Sequence, residues 1–445
     1  MRRPLVTVIS ALGLSVLLTV PAGAATAAPP PDTTDFTIVT EQPAPDPGET
    51  PSFGLDDRRA HQGLPKESAQ DIEERMTASR TLQTLKKEGK TPSSLAERKG
   101  PDGRSEAPAL RRTDPNINVC MENKKTYRTY GWTIDHFFHC QGTTQTLYKQ
   151  KCRWLIGCYP IGSFKFRATT IGEGYEGQRR IYYGTLLDEI DVKGDVSGLK
   201  LRHSIACANL SGSPRCTSEP GNGRTDTLTE WMRDSTGSYH WFNSAHAGDG
   251  PDKRAYYNIT QRFTGIQGGR HKSVTTGRGG FRCDSASYIP GRSSACVFDV
   301  VVPVMSSIGI RDREVRQTAR NIRDAQFRPE RTKPVYRAKE VPGAPSSGQA
   351  LTRNYYDKAM QKRSGDRVRA TCERYWPGYA SRGLQCDEYP FASTYQSAGA
   401  QPAHQDYAAK AIPAEDNRKG GERIAEFYKL DRILDSDAFY VHIRS

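Results

Sequence analysis

Cysteine spacing constrains the fold of this chain more than any other feature of its sequence. Proximity along the chain predicts five sequence-local disulfides among the ten cysteines: Cys120–Cys140, Cys152–Cys158, Cys207–Cys216, Cys283–Cys296 and Cys372–Cys386. Spacing alone does not fix connectivity, so the pairing stays a prediction from proximity. A zinc site is the alternative, but Cys152 and Cys158 are too far apart for a CxxC knuckle, and no second matching pair follows.

The N-terminus indicates where these cysteines become oxidised. Two arginines precede an apolar run from Leu5 to Val20, and small residues with A-x-A cleavage sites follow. This pattern predicts a secretory signal peptide over residues 1–27. The run is shorter than the roughly 20 apolar residues of a membrane span, and no later segment is apolar enough to replace it. We therefore expect a secreted, extracellular protein with no membrane span, whose cysteines form disulfides.

Length and charge bound the number of domains and the kind of partner. A chain of 445 residues is long enough for two domains, and its formal net charge is +14. Residues 351–445 contain 15 Lys+Arg and 13 Asp+Glu, so nearly all of the positive excess lies upstream. A basic exported protein attracts polyanions such as nucleic acids, teichoic acids and acidic polysaccharides. Charge alone does not choose among them.

Composition changes along the chain predict the boundaries upstream of residue 351. Residues 28–115 are rich in Pro and charged residues, which predicts a disordered, charged linker or pro-segment. Within this segment Ile72, Met76, Leu82 and Leu85 recur at near-helical spacing, and a solvated linker helix is favoured over a docking helix.

Residues 116–306 contain short alternating runs such as SFKFRATTI and ACVFDVVVPV, separated by turn residues. They predict a disulfide-rich β domain of the sandwich or barrel type. Its Gly-rich basic loop could cradle phosphates through five side chains: Arg270, His271, Lys272, Arg278 and Arg282. Neither the P-loop nor the dinucleotide-binding spacing is present, so a solvated hairpin is favoured.

Residues 307–350 are expected to form a basic helix followed by a Pro/Gly/Ser linker. Arg313, Arg316, Arg320 and Arg323 recur at three- to four-residue steps, which places them in one stripe on a helix. Such a stripe can follow a phosphate backbone. Charge runs are more often solvated faces, and that interpretation is favoured here.

The stretch CDEYPFAS, within residues 351–445, carries the most informative polar residues. Asp387 and Glu388 lie on an extended segment that is predicted to end at Pro390, because proline cannot donate to a strand ladder. Two adjacent carboxylates beside aromatic residues are costly to bury unless they bind something.

The elements after this stretch predict a small strand–strand–helix unit. A second short strand lies near Ile412, and Asp416 or Asn417 is the expected N-cap of an apolar-faced helix. A carboxylate pair on a strand and Asn417 at a helix start suit one hard divalent cation on oxygen ligands. Glu422 and Glu426 on the helix are further candidates for that site.

At these residues the sequence resembles the NucA/NucB family of secreted deoxyribonucleases. DEYP at Asp387–Pro390 and DNRKGG at Asp416–Gly421 correspond, in the same order, to the family's Asp-Glu-aromatic-Pro and Asp-Asn-Arg-x-x-Gly stretches. The resemblance covers residues 351–445, a fifth of the chain, and does not include the β domain. It implies a compact ββα-type metal-nuclease module. With the mainly-β domain that the alternating runs of residues 116–306 predict ahead of this module, the expected fold class is α+β. The implied activity is metal-dependent, largely sequence-nonspecific hydrolysis of DNA, with RNA left open.

The resemblance also implies roles for individual residues. Asp387 and Glu388 would be the acid/base and metal-site carboxylates, Asn417 would lie at the metal, and Glu422 would be a further ligand. The cation is expected to be Mg²⁺ or Mn²⁺. Arg418 is placed to hold a phosphate. Family members often have a Glu-Gly pair shortly after the first stretch, where this chain has STYQSAGAQ.

Other interpretations stay open at this point. His404 and His442 are the histidines of the module that could replace a carboxylate as base, but their surroundings are more typical of solvated or packed residues. A non-catalytic binder of polyanions or cell wall that retains a nuclease-like fold is one alternative. A β domain that acts in adhesion, with the nuclease as cargo, is another. A monomer is expected.

Overall fold

The structure is a computed structural model that describes residues 33–41, 67–91, 110–111, 113–154, 156–210, 212–233 and 237–445. The predicted signal peptide lies outside the described residues. In the β domain the strands are β1 (Thr33–Glu41), β2 (Trp132–Asp135), β3 (Phe138–Arg153), β4 (Gly157–Gly174), β5 (Arg180–Gly194), β6 (Lys200–Asn209), β7 (Cys216–Ser218), β8 (Arg224–Thr227), β9 (Ser238–Ser244), β10 (Ala255–Gln267), β11 (Arg270–Asp284) and β12 (Ala295–Val297).

The C-terminal strands are β13 (Val304–Met305), β14 (Leu351–Thr352), β15 (Leu384–Tyr389), β16 (Ala408–Pro413) and β17 (Ala438–Val441). The α-helices are α1 (Ala69–Lys87), α2 (Pro115–Met121), α3 (Leu228–Arg233), α4 (Arg316–Phe327), α5 (Lys358–Tyr375) and α6 (Ala414–Leu430). Short 3₁₀ helices lie at Lys124–Tyr127, Pro329–Arg331, Pro345–Ser347 and Ala380–Arg382. None of the helices that the structure describes has the length and apolar character of a membrane span.

Two antiparallel sheets form the β domain. One has the strand order β1-β3-β4-β5-β9-β7, with β2 beside β3, and the other has the order β12-β11-β10-β6-β8. Alternate side chains of both sheets share one core, in which Phe36, Leu147 and Phe164 of the first sheet meet Leu201 and Phe263 of the second. The predicted α+β class, with a mainly-β region ahead of the nuclease module, is confirmed.

All ten cysteines form disulfides, and the pairs are the five predicted from proximity. Four of these disulfides crosslink segments of the β domain. The fifth, Cys372–Cys386, joins α5 to β15 in the C-terminal module. Since all ten thiols are oxidised, the zinc-site alternative is excluded.

The structure differs from the expected disorder of residues 28–115 at β1 and α1. β1 pairs with β3 from end to end and buries Phe36 and Ile38. α1 begins at a capping box on Ser68, and its Ile72 and Leu82 are buried. Leu82 packs in a core cluster of the β domain, so α1 is a docked helix. Both elements carry a short apolar face that another element covers, although the mean composition of the segment is polar.

Helix α4 also departs from its predicted role as part of a basic linker. Its Ala319 and Ile322 lie in the core of the C-terminal module, while Arg320 and Arg323 are exposed on the opposite face. The favoured interpretation of the arginine stripe as a solvated face therefore agrees with the structure. β13 pairs in parallel with β17, so the module begins near Val304 rather than at residue 351.

Buried ion pairs join the two domains. Arg282 of β11 donates from Nη1 and Nη2 to the two carboxylate oxygens of Asp437, at 2.8 and 3.0 Å. Arg432, after α6, donates from Nε to Asp284 Oδ1 at 3.0 Å. These four side chains are at most 3% exposed. Burial raises the pKa of Asp437, but Arg282 and Arg254 outweigh it and hold the pKa well below its usual range. The domains are therefore fixed to each other by desolvated, bidentate contacts.

Candidate active site

Strand β15 carries both motif carboxylates, one on each face of the two-stranded β15–β16 sheet. Successive side chains of a strand point to opposite faces. Asp387 accordingly faces α4, where its Oδ2 accepts a hydrogen bond from Asn321 Nδ2 at 3.0 Å. Glu388 faces α5, where its Oε2 accepts a hydrogen bond from Ser364 Oγ at 2.9 Å. The two carboxylates are neighbours in sequence, but each has its own environment.

Contacts at both ends fix the position of β15. Cys386 is bonded to Cys372 on the α5 side of the sheet. Tyr389 is buried on the α4 side, where its hydroxyl accepts a hydrogen bond from Gln326 Nε2 at 2.7 Å. The strand ends at Tyr389, before Pro390, as the sequence predicts. Among the described strands β15 pairs only with β16, so its other edge has no strand partner.

A cleft of about 540 Å³ runs beside β15. Helices α5 and α6 supply lining residues on either side of the strand, and Thr318 of α4 and residues 353–355 and 391–393 complete the lining. The polar lining includes the carboxylates of Asp387 and Glu388, the amides of Asn354, Gln361 and Asn417, and the cations Arg353, Lys358 and Arg369, of which Arg353 is buried. The structure therefore brings three of the predicted site residues together and adds positive charges that can meet a phosphate.

Burial raises the pKa of both carboxyl groups. The pKa of Asp387 rises to about 7, chiefly through burial, with a further contribution from the charge of Asp416. The pKa of Glu388 rises to about 8, again chiefly through burial, and the charge of Asp387 adds to the effect. A group with a pKa near neutrality can take up and release a proton under ordinary conditions, as a general base or acid must.

Asp416 has a different role from the predicted N-cap. Helix α6 begins at Ala414, and Asp416 lies in its first turn. The carboxylate of Asp416 instead accepts hydrogen bonds from the backbone N–H groups of Gln317 and Thr318, at 2.8 and 2.9 Å. It thereby satisfies free donors at the N-terminus of α4 and complements the helix dipole there. Asn321, one turn further along α4, is then held against Asp387.

Two residues of the DNRKGG stretch shape the cleft. The Nδ2 of Asn417 donates to Gln385 Oε1 at 3.0 Å, which holds the amide at the wall formed by α6. A Cβ at Gly420 would lie 3.0 Å from the Thr318 side chain, so a glycine at this position permits the close approach of α6 to α4. This packing keeps Asn417 near the two carboxylates.

The structure places Arg418 and Glu422 away from the cleft. Arg418 is half exposed and forms ion pairs with Glu415 and Glu422 on the outer face of α6. Glu422 also pairs with Lys419, at 3.3 Å. Neither Arg418 nor Glu422 lines the cleft, and Glu426 lies on another side of the helix. The expected phosphate and metal roles of these side chains are not supported by their positions.

Neither histidine that was considered as an alternative base lines the cleft. His404 accepts a hydrogen bond at Nδ1 from the backbone N–H of Asp406, and its Nε2 lies 3.1 Å from the Ser397 carbonyl oxygen. His442 continues the chain after β17, where its backbone N–H donates to Met305. Both residues thus have structural contacts, in keeping with the favoured interpretation.

Sequence reasoning missed several polar residues around the carboxylates. Asn321 and Ser364 donate hydrogen bonds to them, and Lys358 and Arg369 add positive charge to the lining. Nothing local in the sequence marks Asn321 as a partner of Asp387, since 66 residues separate them. The basic composition of the segment that forms α5 was a signal for Lys358 and Arg369.

The donor set of the cleft fits a hard cation. Asp387, Glu388 and Asn417 offer carboxylate and amide oxygens, the ligands that Mg²⁺ and Mn²⁺ prefer. Burial disfavours the charged carboxylates, and a nearby cation would compensate for that cost. In the described part of the module, no three His, Cys, Asp or Glu side chains bring ligand atoms within 4.8 Å of one another. A cation would therefore need oxygens from water or substrate as well, as Mg²⁺ usually does.

Carboxylates, an amide and cations that line one groove are typical of enzymes that act on phosphate esters. Residues 344–442 match the family Deoxyribonuclease NucA/NucB. The resemblance found in DEYP and DNRKGG is thus confirmed for the C-terminal module, and the match supports a deoxyribonuclease-type function in general. No curated protein and no solved structure matches the chain.

Proposed function

We propose that this protein is a secreted, metal-dependent endonuclease that hydrolyses DNA phosphodiester bonds with little sequence preference. The observation that carries the proposal is the meeting of Asp387, Glu388 and Asn417 in one cleft within the family match. DNA as the substrate rests on that match. Secretion rests on the five disulfides and on the signal-peptide pattern of the N-terminal sequence.

Each polar group of the cleft has a task in this proposal. Glu388 and Asn417 would hold the cation, which when bound stabilises negative charge on the scissile phosphate. Asp387 accepts the proton of the attacking water, and the hydrogen bond from Asn321 fixes the direction of its carboxylate. Lys358 binds the phosphate backbone beside the scissile bond.

The low sequence preference follows from the kind of group that lines the cleft. Lysine and arginine side chains bind phosphates, which all DNA sequences share, and such contacts position the substrate without specifying its bases. Lys358 and Arg369, the exposed cations of the lining, suit this kind of binding.

Plasmid cleavage tests the metal requirement. The purified protein should nick and then degrade plasmid DNA in Mg²⁺ or Mn²⁺, and EDTA should abolish the reaction, since oxygen ligands release the cation to a chelator. Addition of excess metal should restore cleavage. Undiminished cleavage in EDTA would contradict the metal mechanism.

Point variants test the residue roles. Asp387→Ala and Asn417→Ala should each lower the cleavage rate by about 100-fold or more, in line with the loss of a general base or an essential ligand. Arg418→Ala is the matched control, because Arg418 belongs to the same sequence stretch but lies on the exposed face of α6. It should retain near wild-type activity. If Arg418→Ala is inactive while Asp387→Ala cleaves normally, the assignment of the site is wrong.

One observation favours a second candidate, a non-catalytic binder of polyanions. Where family members often have a Glu-Gly pair, the side chains of this chain make structural contacts. Thr394 donates to the Phe391 carbonyl at 2.8 Å, and Gln396 accepts from the Thr352 backbone at 2.9 Å. A wild-type protein that binds DNA but cleaves it in neither Mg²⁺ nor Mn²⁺ would favour the binder over the nuclease.

A further inference from the structure

Two loops of the β domain reach the C-terminal module next to the cleft. Tyr288 lies between β11 and β12, and Asp252 lies between β9 and β10. The ring of Tyr288 stacks on the ring of Tyr355 in the module, with 3.6 Å between the ring centroids and 17° between the planes. Tyr355 lines the cleft, whereas Tyr288 does not. The β domain therefore supports a residue of the cleft lining from outside the cleft.

Hydrogen bonds fix the orientation of the two stacked rings. The Tyr288 hydroxyl donates to Asp252 Oδ2 at 3.0 Å and accepts from the backbone N–H of Asp435 at 2.9 Å. Asp252 is buried and also accepts from the Tyr356 hydroxyl, at 2.8 Å. The backbone N–H of Tyr355 donates to Asp435 Oδ1 at 2.7 Å. Groups of both domains thus hold the pair of rings in place.

The other face of the Tyr355 ring carries a cation. The Nζ of Lys358 lies 4.3 Å from the centroid of this ring. Because Tyr288 occupies one face of the ring, the ammonium group lies over the opposite face. The contact of Lys358 with Gln361 is long, at 3.5 Å from Nζ to Oε1. Lys358 is exposed and lines the cleft, so its charge is accessible to a ligand there.

Arg353 contacts the same rings but depends on them less. Its guanidinium lies 5.1 and 5.4 Å from the ring centroids of Tyr288 and Tyr355. Arg353 is buried, and its Nη1 donates to the Ile433 carbonyl. This hydrogen bond holds the arginine without either ring. Lys358 is therefore the cation whose position the stacked rings control.

We propose that the β domain completes the substrate-binding wall of the cleft. Tyr288 holds the ring of Tyr355, and that ring positions the Lys358 ammonium group for a phosphate of the DNA backbone. The inference rests on the proposed function, in which Lys358 binds the backbone beside the scissile bond. Tyr288 and Tyr355 are positioning residues, since Lys358 makes the contact with the substrate.

The entropy of a lysine side chain explains why such positioning matters. A free lysine side chain samples many rotamers, and a cation–π contact restricts them before the substrate arrives. Less conformational entropy is then lost on binding, so the affinity for DNA is higher. An ammonium group has three donors, and those that point away from the Tyr355 ring can still donate to a phosphate.

Equilibrium binding in EDTA tests the proposal separately from cleavage. The full chain is titrated into a short fluorescein-labelled DNA duplex, and fluorescence anisotropy gives Kd at several salt concentrations. Tyr288→Ala and Tyr355→Leu should each weaken binding about threefold to fivefold, as the loss of one partly exposed cation–π contact implies. Lys358→Met should weaken binding at least as much, and should lower the slope of log Kd against log salt by about 0.9, the value for one phosphate contact on duplex DNA.

Two further variants separate positioning from a merely structural effect. In the Lys358→Met background, Tyr288→Ala should change Kd no further, because the cation that it positions is gone. Tyr288→Phe keeps the ring and should bind like wild type. Tyr148→Ala is the matched control, because Tyr148 is also a half-buried tyrosine of the β domain, but its strand partners lie on β1 and β4. It should bind like wild type.

Each outcome supports or overturns the proposal. The proposal is overturned if Tyr288→Ala binds normally, if its loss persists in the Lys358→Met background, or if Tyr288→Phe loses as much. Where Tyr288→Ala does not fold, Tyr355→Leu decides through the same comparison. A wild-type protein that binds DNA without cleaving it would contradict the nuclease function and leave this proposal standing. Normal cleavage by wild type with unchanged binding in Tyr288→Ala would do the reverse, and a wild type that binds no DNA would overturn both.

Discussion

Removal of the Cys372–Cys386 disulfide should affect both stability and catalysis. The bond joins α5 to β15 and ends immediately before Asp387. The two cysteines are 14 positions apart, so the bond closes a loop of 15 residues in the unfolded chain. For a loop of this length the chain-entropy model gives about 3 kcal/mol. Cys372→Ala/Cys386→Ala should lower the free energy of unfolding of the module by about this amount.

The effect on catalysis has a separate cause. β15 has a single strand partner among the described residues, and Cys386 lies on the same face as Glu388, which contacts Ser364 of α5. Without the bond, the distance between β15 and α5 is held only by packing and this hydrogen bond. Small displacements of reacting groups can cost up to about 100-fold in rate. We expect plasmid cleavage to fall about 10- to 100-fold, even well below the melting temperature.

A second disulfide provides the control. Cys152–Cys158 closes a loop of seven residues in the β domain, for which the same model gives about 2 kcal/mol. Cys152→Ala/Cys158→Ala should therefore lose comparable stability but keep its cleavage rate. Urea denaturation gives the free energies of unfolding, and initial rates on supercoiled plasmid give the activities. Full activity in Cys372→Ala/Cys386→Ala, or equal losses of activity in both double variants, would refute the idea that the bond positions the site.

The structure also predicts the direction of three further effects: two of substitutions and one of pH. Asn321→Ala should lower kcat with little change in KM for DNA, since the Asn321 amide orients the carboxylate of Asp387 without touching substrate. A change confined to KM would contradict this. Asp437→Ala leaves the Arg282 charge buried without its bidentate partner, so urea denaturation should show a loss of about 3–5 kcal/mol, much of it recovered in Arg282→Met/Asp437→Leu. Burial lowers the pKa of His139 and of His203 to about 4, against about 6.5 in an unfolded chain. The stability that the two neutral imidazoles contribute is complete above about pH 6.5 and is lost as the pH falls towards 4, by about 2 kcal/mol each at pH 5. In thermal melts, His203→Gln should therefore reduce the dependence of the melting temperature on pH.

Local signals in the sequence account for what could be predicted. Cysteine proximity predicts the five pairs because each joins neighbouring segments, and Pro390 predicts the end of β15 because it has no N–H to donate. The spacing of Glu415, Arg418 and Glu422 was a further signal, since residues three and four apart on a helix form surface ion pairs. Recognition of that spacing would have placed Arg418 on the outer face of α6.

Long-range packing decides the features that could not be predicted. Asp416 is of a residue type that favours N-caps, and the sequence places it at the start of α6. In the structure its carboxylate instead caps α4, which lies about 100 positions earlier in the chain. Nothing near Asn321 marks it as the partner of a carboxylate on β15. The short apolar faces of β1 and α1 are not detected when composition is averaged over residues 28–115. They are recognised as buried faces only once the elements that pack against them are known.

The parallel pairing of β13 with β17 bears on how such a module is inherited. The family match begins at residue 344, but Met305 of β13 and Ile322 of α4, both upstream of it, are buried in the same core as Phe439 of β17. A recombination event that carried only the matched residues into another gene would leave a strand and a helix behind. The transferred piece would expose the apolar surface that they cover, and it would lack Asn321. For this chain, the unit that evolution can move intact is therefore longer than its family signature.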